Sequence, residues 1–141
     1  MPVHLNGRGE AFMVDVGAKP VTARRAVARG SVSMSAAALK ALRGGKLRKG
    51  DAFAAARLAG IMAAKRASDL IPLCHPLPLD GAEVRLWAAR GRVEVSAEVR
   101  TSARTGVEME ALAAAAAACL TVYDMVKSED RGMVIGPLWL A

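Results

Sequence analysis

The sequence predicts an α+β sandwich, an antiparallel sheet with helices packed on one face. Three observations predict it. Glu83 to Ala88 and Arg92 to Arg100 read as a hairpin turned at Arg90-Gly91. In its second arm Val93, Val95, Ala97 and Val99 alternate with Arg92, Glu94, Ser96, Glu98 and Arg100, the period of a strand with one buried face. The longest helical stretch follows, about Val107 to Lys127, with the alanine run Ala113 to Ala118 as a good helix interior. Finally, the elements come in an order close to βαββαβ once a short helix near Ser35 is set aside. That order is the split βαβ arrangement of a ferredoxin-like sandwich.

The elements follow in chain order. Glu10 to Val16 alternates moderately and predicts a strand or extended segment. Val21 to Met34 predicts a second extended segment, with Gly30 as a bulge. Ser35 caps a short helix to about Leu42, ended by Gly44-Gly45. Asp51 is the N-cap of a helix reaching about Ser68, with Phe53, Leu58, Ile61 and Met62 as its apolar stripe. Pro72, Pro76 and Pro78 then stiffen Leu70 to Leu79, and a helix arriving at Leu70 should stop by Ile71. After the hairpin and the long helix, Met133 to Leu140 predicts the last strand. No repeat, linker or low-complexity tail is found, so a single domain is expected over residues 1–141.

The chain of 141 residues is 53% hydrophobic, enough for a core. No long, strongly apolar run is evident, so no membrane partner is expected. Met1-Pro-Val-His-Leu-Asn6 lacks the basic and apolar regions of a secretory leader. Cys74 and Cys119 are lone cysteines without CxxC spacing, against a disulfide framework or zinc knuckle. A cytoplasmic protein is the simplest reading. The net charge of +7 points to an acidic partner: nucleic acid, a membrane surface or a polyphosphorylated small molecule. The basic residues are scattered, and two Trp, one Tyr and two Phe leave little to stack on bases. A phosphorylated metabolite gains from this.

Cys74 and His75 are the most informative pair, an imidazole and a thiol on an apolar, proline-rigid segment. They read as the wall of a preformed pocket or as a structural cross-over with a satisfied histidine. Thr105-Gly106-Val107-Glu108 matches a capping box, in which Thr105 caps the Glu108 amide and Glu108 caps back. Glu110 has no such role, and the free amides of this helix start could bind an anion. Asp124 and Lys127 are neighbours on one helical face, as a surface ion pair or, in a pocket, as a proton-passing pair. Lys49-Gly50-Asp51 sets a lysine ahead of a helix, without the GxxxxGK[ST] pattern of a P-loop. Arg24, Arg100 and Arg104, on or beside strands, could clamp phosphates or simply be solvated.

Together these segments resemble the cyclic pyranopterin monophosphate synthase family of molybdenum cofactor biosynthesis, molybdenum cofactor biosynthesis protein C. The resemblance runs from Met13-Val-Asp-Val16, Lys19 and Thr22-Ala-Arg24 through Lys49-Gly-Asp51 and Ala55 to Arg66. It continues in Asp69-Leu-Ile-Pro-Leu-Cys-His-Pro-Leu77 and Thr105-Gly-Val-Glu-Met-Glu-Ala-Leu112, and ends in Tyr123-Asp-Met125, Lys127 and Met133-Val-Ile-Gly-Pro137.

The resemblance implies an enzyme that rearranges 3′,8-cyclo-7,8-dihydroguanosine 5′-triphosphate to cyclic pyranopterin monophosphate and releases pyrophosphate. It implies a homohexamer, a trimer of dimers with sites at the dimer interface; the sequence reading assigns no cofactor and no metal ligand, and leaves open a divalent ion carried with the triphosphate. By motif, Leu73, Cys74, His75, Glu108, Met109 and Glu110 would meet the substrate, with Arg24 and Arg104 as further binding candidates. Asp124 would be the catalytic acid/base, with Lys127 and Lys49 as partners and His75 as another proton carrier. The family commonly has cysteine where this chain has Val126, so a thiol there is not essential. Many members continue into a glycine- and lysine-rich tail, whereas this sequence stops at Ala141, so contacts from that tail are expected to be missing or replaced. The competing expectation is a basic nucleic-acid-binding module on the same kind of sheet, since fold alone does not fix function. A purely structural oligomer would leave the Cys74-His75 and Asp124-Lys127 pairs unexplained.

Overall fold

The computed structural model describes residues 5–141, so the first residues of the segment read for a leader lie outside the described residues. The four strands are β1 (Thr22–Ser33), β2 (Gly81–Ala89), β3 (Arg92–Ala103) and β4 (Val134–Leu140). The helices are α1 (Ala36–Arg43), α2 (Ala52–Lys65), α3 (Ala67–Leu70) and α4 (Glu108–Val126). The sheet runs β2-β3-β1-β4 with every pairing antiparallel, the ferredoxin-like arrangement that the element order predicts.

Local chemistry explains most boundaries. Gly91 takes φ +74° at the hairpin turn, where a side chain would be strained. The register between β1 and β4 shifts at Gly30–Val32, the bulge expected at Gly30. Ser35 Oγ accepts from the Ala38 N–H at 3.1 Å, and Asp51 Oδ1 from the Ala54 N–H at 3.1 Å, which starts α1 and α2 as predicted. The backbone at Ile71 is extended, so the helix stops where the following proline requires.

Val93, Val95, Ala97 and Val99 are fully buried beneath α4, with Ala28 and Val32 of β1 beside them. The opposite face of the sheet carries Arg29 between Trp87 and Trp139, with Glu94 below it. These long side chains also bury Glu94 and Ser96, so the alternation of β3 separates apolar from polar more cleanly than buried from exposed.

Four expectations need correction. Glu10 to Val16 forms no strand; a lone bridge joins Leu5 to Ala11, and the alternation places Val14 and Val16 against a cavity instead. The stripe on α2 holds only in part: Phe53 and Ile61 pack against the core, but Leu58 and Met62 are exposed, and the fully buried face is Ala52, Ala56, Gly60 and Ala64. The reason is close approach. A Cβ added at Gly60 would lie 3.0 Å from the Ala114 carbonyl oxygen of α4, leaving room only for small side chains. The capping box is not formed, since α4 is entered through Val107 with no side-chain cap. Finally, α4 is long and apolar enough to cross a membrane, with an 18-residue window of mean hydropathy 1.4. Here it is the central helix, with eight buried residues in the core formed with the sheet and α2.

Candidate active site

The proline segment is fastened to the sheet at its C-terminal end. Thr101 Oγ1, buried in β3, donates to the Pro78 carbonyl, and the Asp80 N–H donates to the Arg100 carbonyl at 2.8 Å. This sets Leu73, Cys74, His75 and Leu77 beside the start of α4. There Thr105, Gly106, Glu108, Met109 and Glu110 complete a cavity of about 300 Å³. The six substrate-binding candidates from Leu73 to His75 and Glu108 to Glu110 are thus brought together. The sequence reading missed three contributors, Lys19, Val14 and Val16, because their place here depends on how the N-terminal segment crosses the molecule.

Glu110 is the unusual group in this cavity. It is only 3% exposed, and burial pushes its carboxyl above the ordinary carboxylate range, with the Glu108 charge adding to the effect. The Cys74 thiol donates to Glu110 Oε2 at 3.6 Å, a weak sulfur contact. Burial, and then the Glu110 carboxylate, push the thiol up to about 11. It is therefore protonated at neutral pH and a poor nucleophile. Glu108, in contrast, is exposed, with its carboxylate folded back over Gly106.

Two expected outcomes follow. Cys74→Ser should cost less activity than His75→Ala, because a protonated thiol shapes the wall whereas an imidazole can carry a proton. Steady-state rates of the two variants compare them, and a covalent substrate adduct at Cys74 would reverse the ranking. Glu110→Gln should melt higher than wild type at pH 7 by roughly 2–5 °C, while losing activity. The sign follows from the raised carboxyl. Its unfavourable charge is absent at low pH, and stability is lost as pH rises out of the ordinary carboxylate range through the raised value. Melting curves of both proteins from pH 4 to 8 should therefore diverge upward in pH; parallel curves would show that burial does not penalise this carboxylate.

The second cluster lies at the other end of α4. Asp124 Oδ2 accepts from Lys49 Nζ at 2.8 Å, and Asp124 Oδ1 is 2.9 Å from Lys127 Nζ. Hydrogen bonds from Lys49 first and Lys127 second hold the carboxyl at about 2, so it is ionised in any ordinary buffer. All three side chains are about half exposed, and exposed pairs contribute a fraction of a kcal/mol. Stability does not explain why two lysines from separate elements converge on one carboxylate. Arg48, Met125, Ser128 and Arg131 complete a cavity of about 140 Å³ around them.

The remaining candidates lie apart. Arg24 is half-buried on β1, its Nε enclosed and without a partner among the described residues, in a groove it shares with Asp80, Arg100 and Ser102. Arg104 is exposed just beyond β3 and lines neither cluster. Among the described residues, no three histidine, cysteine or carboxylate side chains come together as a metal site.

With this geometry in view, the comparison with known proteins is decisive. The profile of the MoaC family matches residues 13–141. The chain belongs to the MoaC family. Its relatives include proteins named cyclic pyranopterin monophosphate synthase. The one from Roseiflexus castenholzii is 58% identical over 139 residues, 97% of this chain and 88% of the relative. Those from Thermomicrobium roseum and Pelotomaculum thermopropionicum are 57% and 55% identical over 139 residues each, 97% of this chain and 84% and 82% of theirs. Both clusters lie inside the span matched to the MoaC family.

Proposed function

We propose that this chain, as one domain over residues 1–141, converts 3′,8-cyclo-7,8-dihydroguanosine 5′-triphosphate to cyclic pyranopterin monophosphate and pyrophosphate in molybdenum cofactor biosynthesis. The observation that carries the reading is the division of the motif residues into two clusters of complementary chemistry. The proline-walled cavity offers apolar surface, an imidazole and a buried carboxyl, which suits a fused ring system. The cluster around Asp124 offers cations, which suit phosphates and the charge that develops as pyrophosphate leaves.

Ring opening and reclosure require protons to be taken from and returned to ring atoms. Asp124 is ionised and holds two ammonium groups, so its work is to position Lys49 and Lys127 and to accept a proton as they exchange theirs. His75 serves the same purpose at the cavity wall. Glu110, a buried carboxylate at the cavity wall, can accept a hydrogen bond from a ring N–H or a hydroxyl.

The reading includes a homohexameric trimer of dimers in the cytoplasm, with each site at a dimer interface. Two observations support a partner. The chain of 14.7 kDa exposes 8373 Å², against roughly 6,900 Å² expected of a monomer of that mass. Leu120 on α4 is largely exposed, with Ala116 and Leu112 half-buried one and two turns before it, an apolar row ending at Asp124.

Incubation with the cyclised triphosphate, followed by assay of pyrophosphate and mass detection of the pterin, tests the function. Both products should appear in equal amounts. A folded protein that releases neither would refute the assignment.

A further inference from the structure

Two guanidinium groups flank the Asp124 cluster without a charge partner. Arg48 and Arg131 both line its cavity, and among the described residues neither side chain makes a salt bridge or hydrogen bond. Their backbones are pinned. Leu47, next to Arg48, is buried, and its carbonyl accepts from the Gly50 N–H at 3.3 Å. Asp130, next to Arg131, accepts from the N–H groups of Ser35 and Gly132, each at 2.8 Å. Lys49, Lys127, Arg48 and Arg131 thus surround one carboxylate, which leaves three positive charges unbalanced at the cavity. The negative end of the α4 dipole lies here and favours a cation or two, but an excess of three asks for an anion.

We propose that Arg48 and Arg131 form the subsite for the two phosphates that leave as pyrophosphate, beside the proton-transfer cluster and separate in role from it. This rests on the reaction proposed above. A triphosphate enters and a cyclic monophosphate leaves. A hydroxyl oxygen of the sugar-derived part therefore gives up its proton to water and bonds to the α-phosphorus, and the bond from that phosphorus to the bridging oxygen breaks. The bridging oxygen departs with the electron pair as part of pyrophosphate. Lys49 and Lys127 are engaged by Asp124, whereas two free guanidinium forks can each take a pair of phosphate oxygens. Holding the leaving unit before and after cleavage makes Arg48 and Arg131 positioning residues.

Pyrophosphate itself is the probe, titrated calorimetrically into wild type, R48Q/R131Q, R48K/R131K and the control R85Q/R90Q, which removes the same charge elsewhere. The glutamine pair should bind pyrophosphate at least tenfold more weakly, and its KM for the cyclised triphosphate should rise more than its kcat falls. The lysine pair, with charge but no fork, should lose about threefold, and the control should bind as wild type does. Wild-type pyrophosphate affinity in the glutamine pair, or an equal loss in the control, would overturn the subsite. If circular dichroism shows the glutamine pair unfolded, undiminished affinity in the lysine pair overturns it instead. Should wild type fail to turn over the triphosphate while the pyrophosphate pattern holds, the reaction assigned above falls and the subsite stands.

Discussion

Asp124→Asn is expected to lower turnover at least a hundredfold, about 2.7 kcal/mol of barrier, without disturbing the fold. The substitution keeps size and removes the charge that holds Lys49 at 2.8 Å and Lys127 at 2.9 Å. An amide can still accept from one ammonium, but it donates on its other side, so at least one lysine loses its place. It also cannot accept a proton. The fold should be indifferent, because the side chain is half exposed and such pairs contribute little to stability. Wild type keeps the carboxylate ionised until the pH falls to about 2, so the difference should persist across the whole working range. Far-UV circular dichroism establishes that the variant is folded before kcat/KM is compared. A loss under threefold, less than about 0.7 kcal/mol, would remove Asp124 from the chemistry.

How much of this was legible in the sequence differs by element. The β2–β3 hairpin and α4 were readable because each declares its own period and its own stop, Gly91 at the turn and the alanine run in the helix. The face of α2 was not. Helical periodicity weights large side chains, so Leu58 and Met62 looked internal. The real contact is decided by how closely α4 approaches, and that admits only Ala56, Gly60 and Ala64. Thr105 and Glu108 have capping-box spacing, but the connection from β3 brings Thr105 to the cavity wall, and local spacing carries no information about that.

The candidate site divides the same way. Cys74-His75 and Glu108-Met109-Glu110 could be named because each lies in a compact motif, and the structure brings the two motifs together. The Lys49–Asp124 contact joins residues 75 apart in the chain, and only the resemblance linked them beforehand. Arg48 and Arg131 had a signal that could have found them, since each sits within a few residues of a lysine bound to Asp124. It was diluted by the many other basic residues of a chain with net charge +7. Lys19 had only its place in the resemblance, because its neighbours in space are set by a segment without regular structure.

Mixing two inactive variants, Glu110→Ala and Lys127→Ala, should restore about a quarter of wild-type activity if each site is shared between subunits. The two clusters sit at opposite ends of α4, and Glu110 and Asp124 are fourteen residues apart, roughly 21 Å along the axis. One helix therefore does not deliver both to one small substrate. Two α4 helices packed antiparallel about a two-fold axis do, with the midpoint of the pairing at Ala117. Ala116 and Ala117, half-buried, are small there, and the exposed Leu120 has a surface to cover. Such a dimer sets Glu110 of one subunit beside Asp124 and Lys127 of the other. In a mixed dimer one site then holds both substitutions and the other holds neither. Random refolding makes about half the dimers mixed, each with one intact site of two, which gives the quarter. The variants would be purified separately, unfolded together and refolded, with subunit exchange verified by mass spectrometry. Confirmed exchange with activity no higher than that of the single variants would mean that each subunit builds its site alone, and the roles of the two ends of α4 would have to be reassigned.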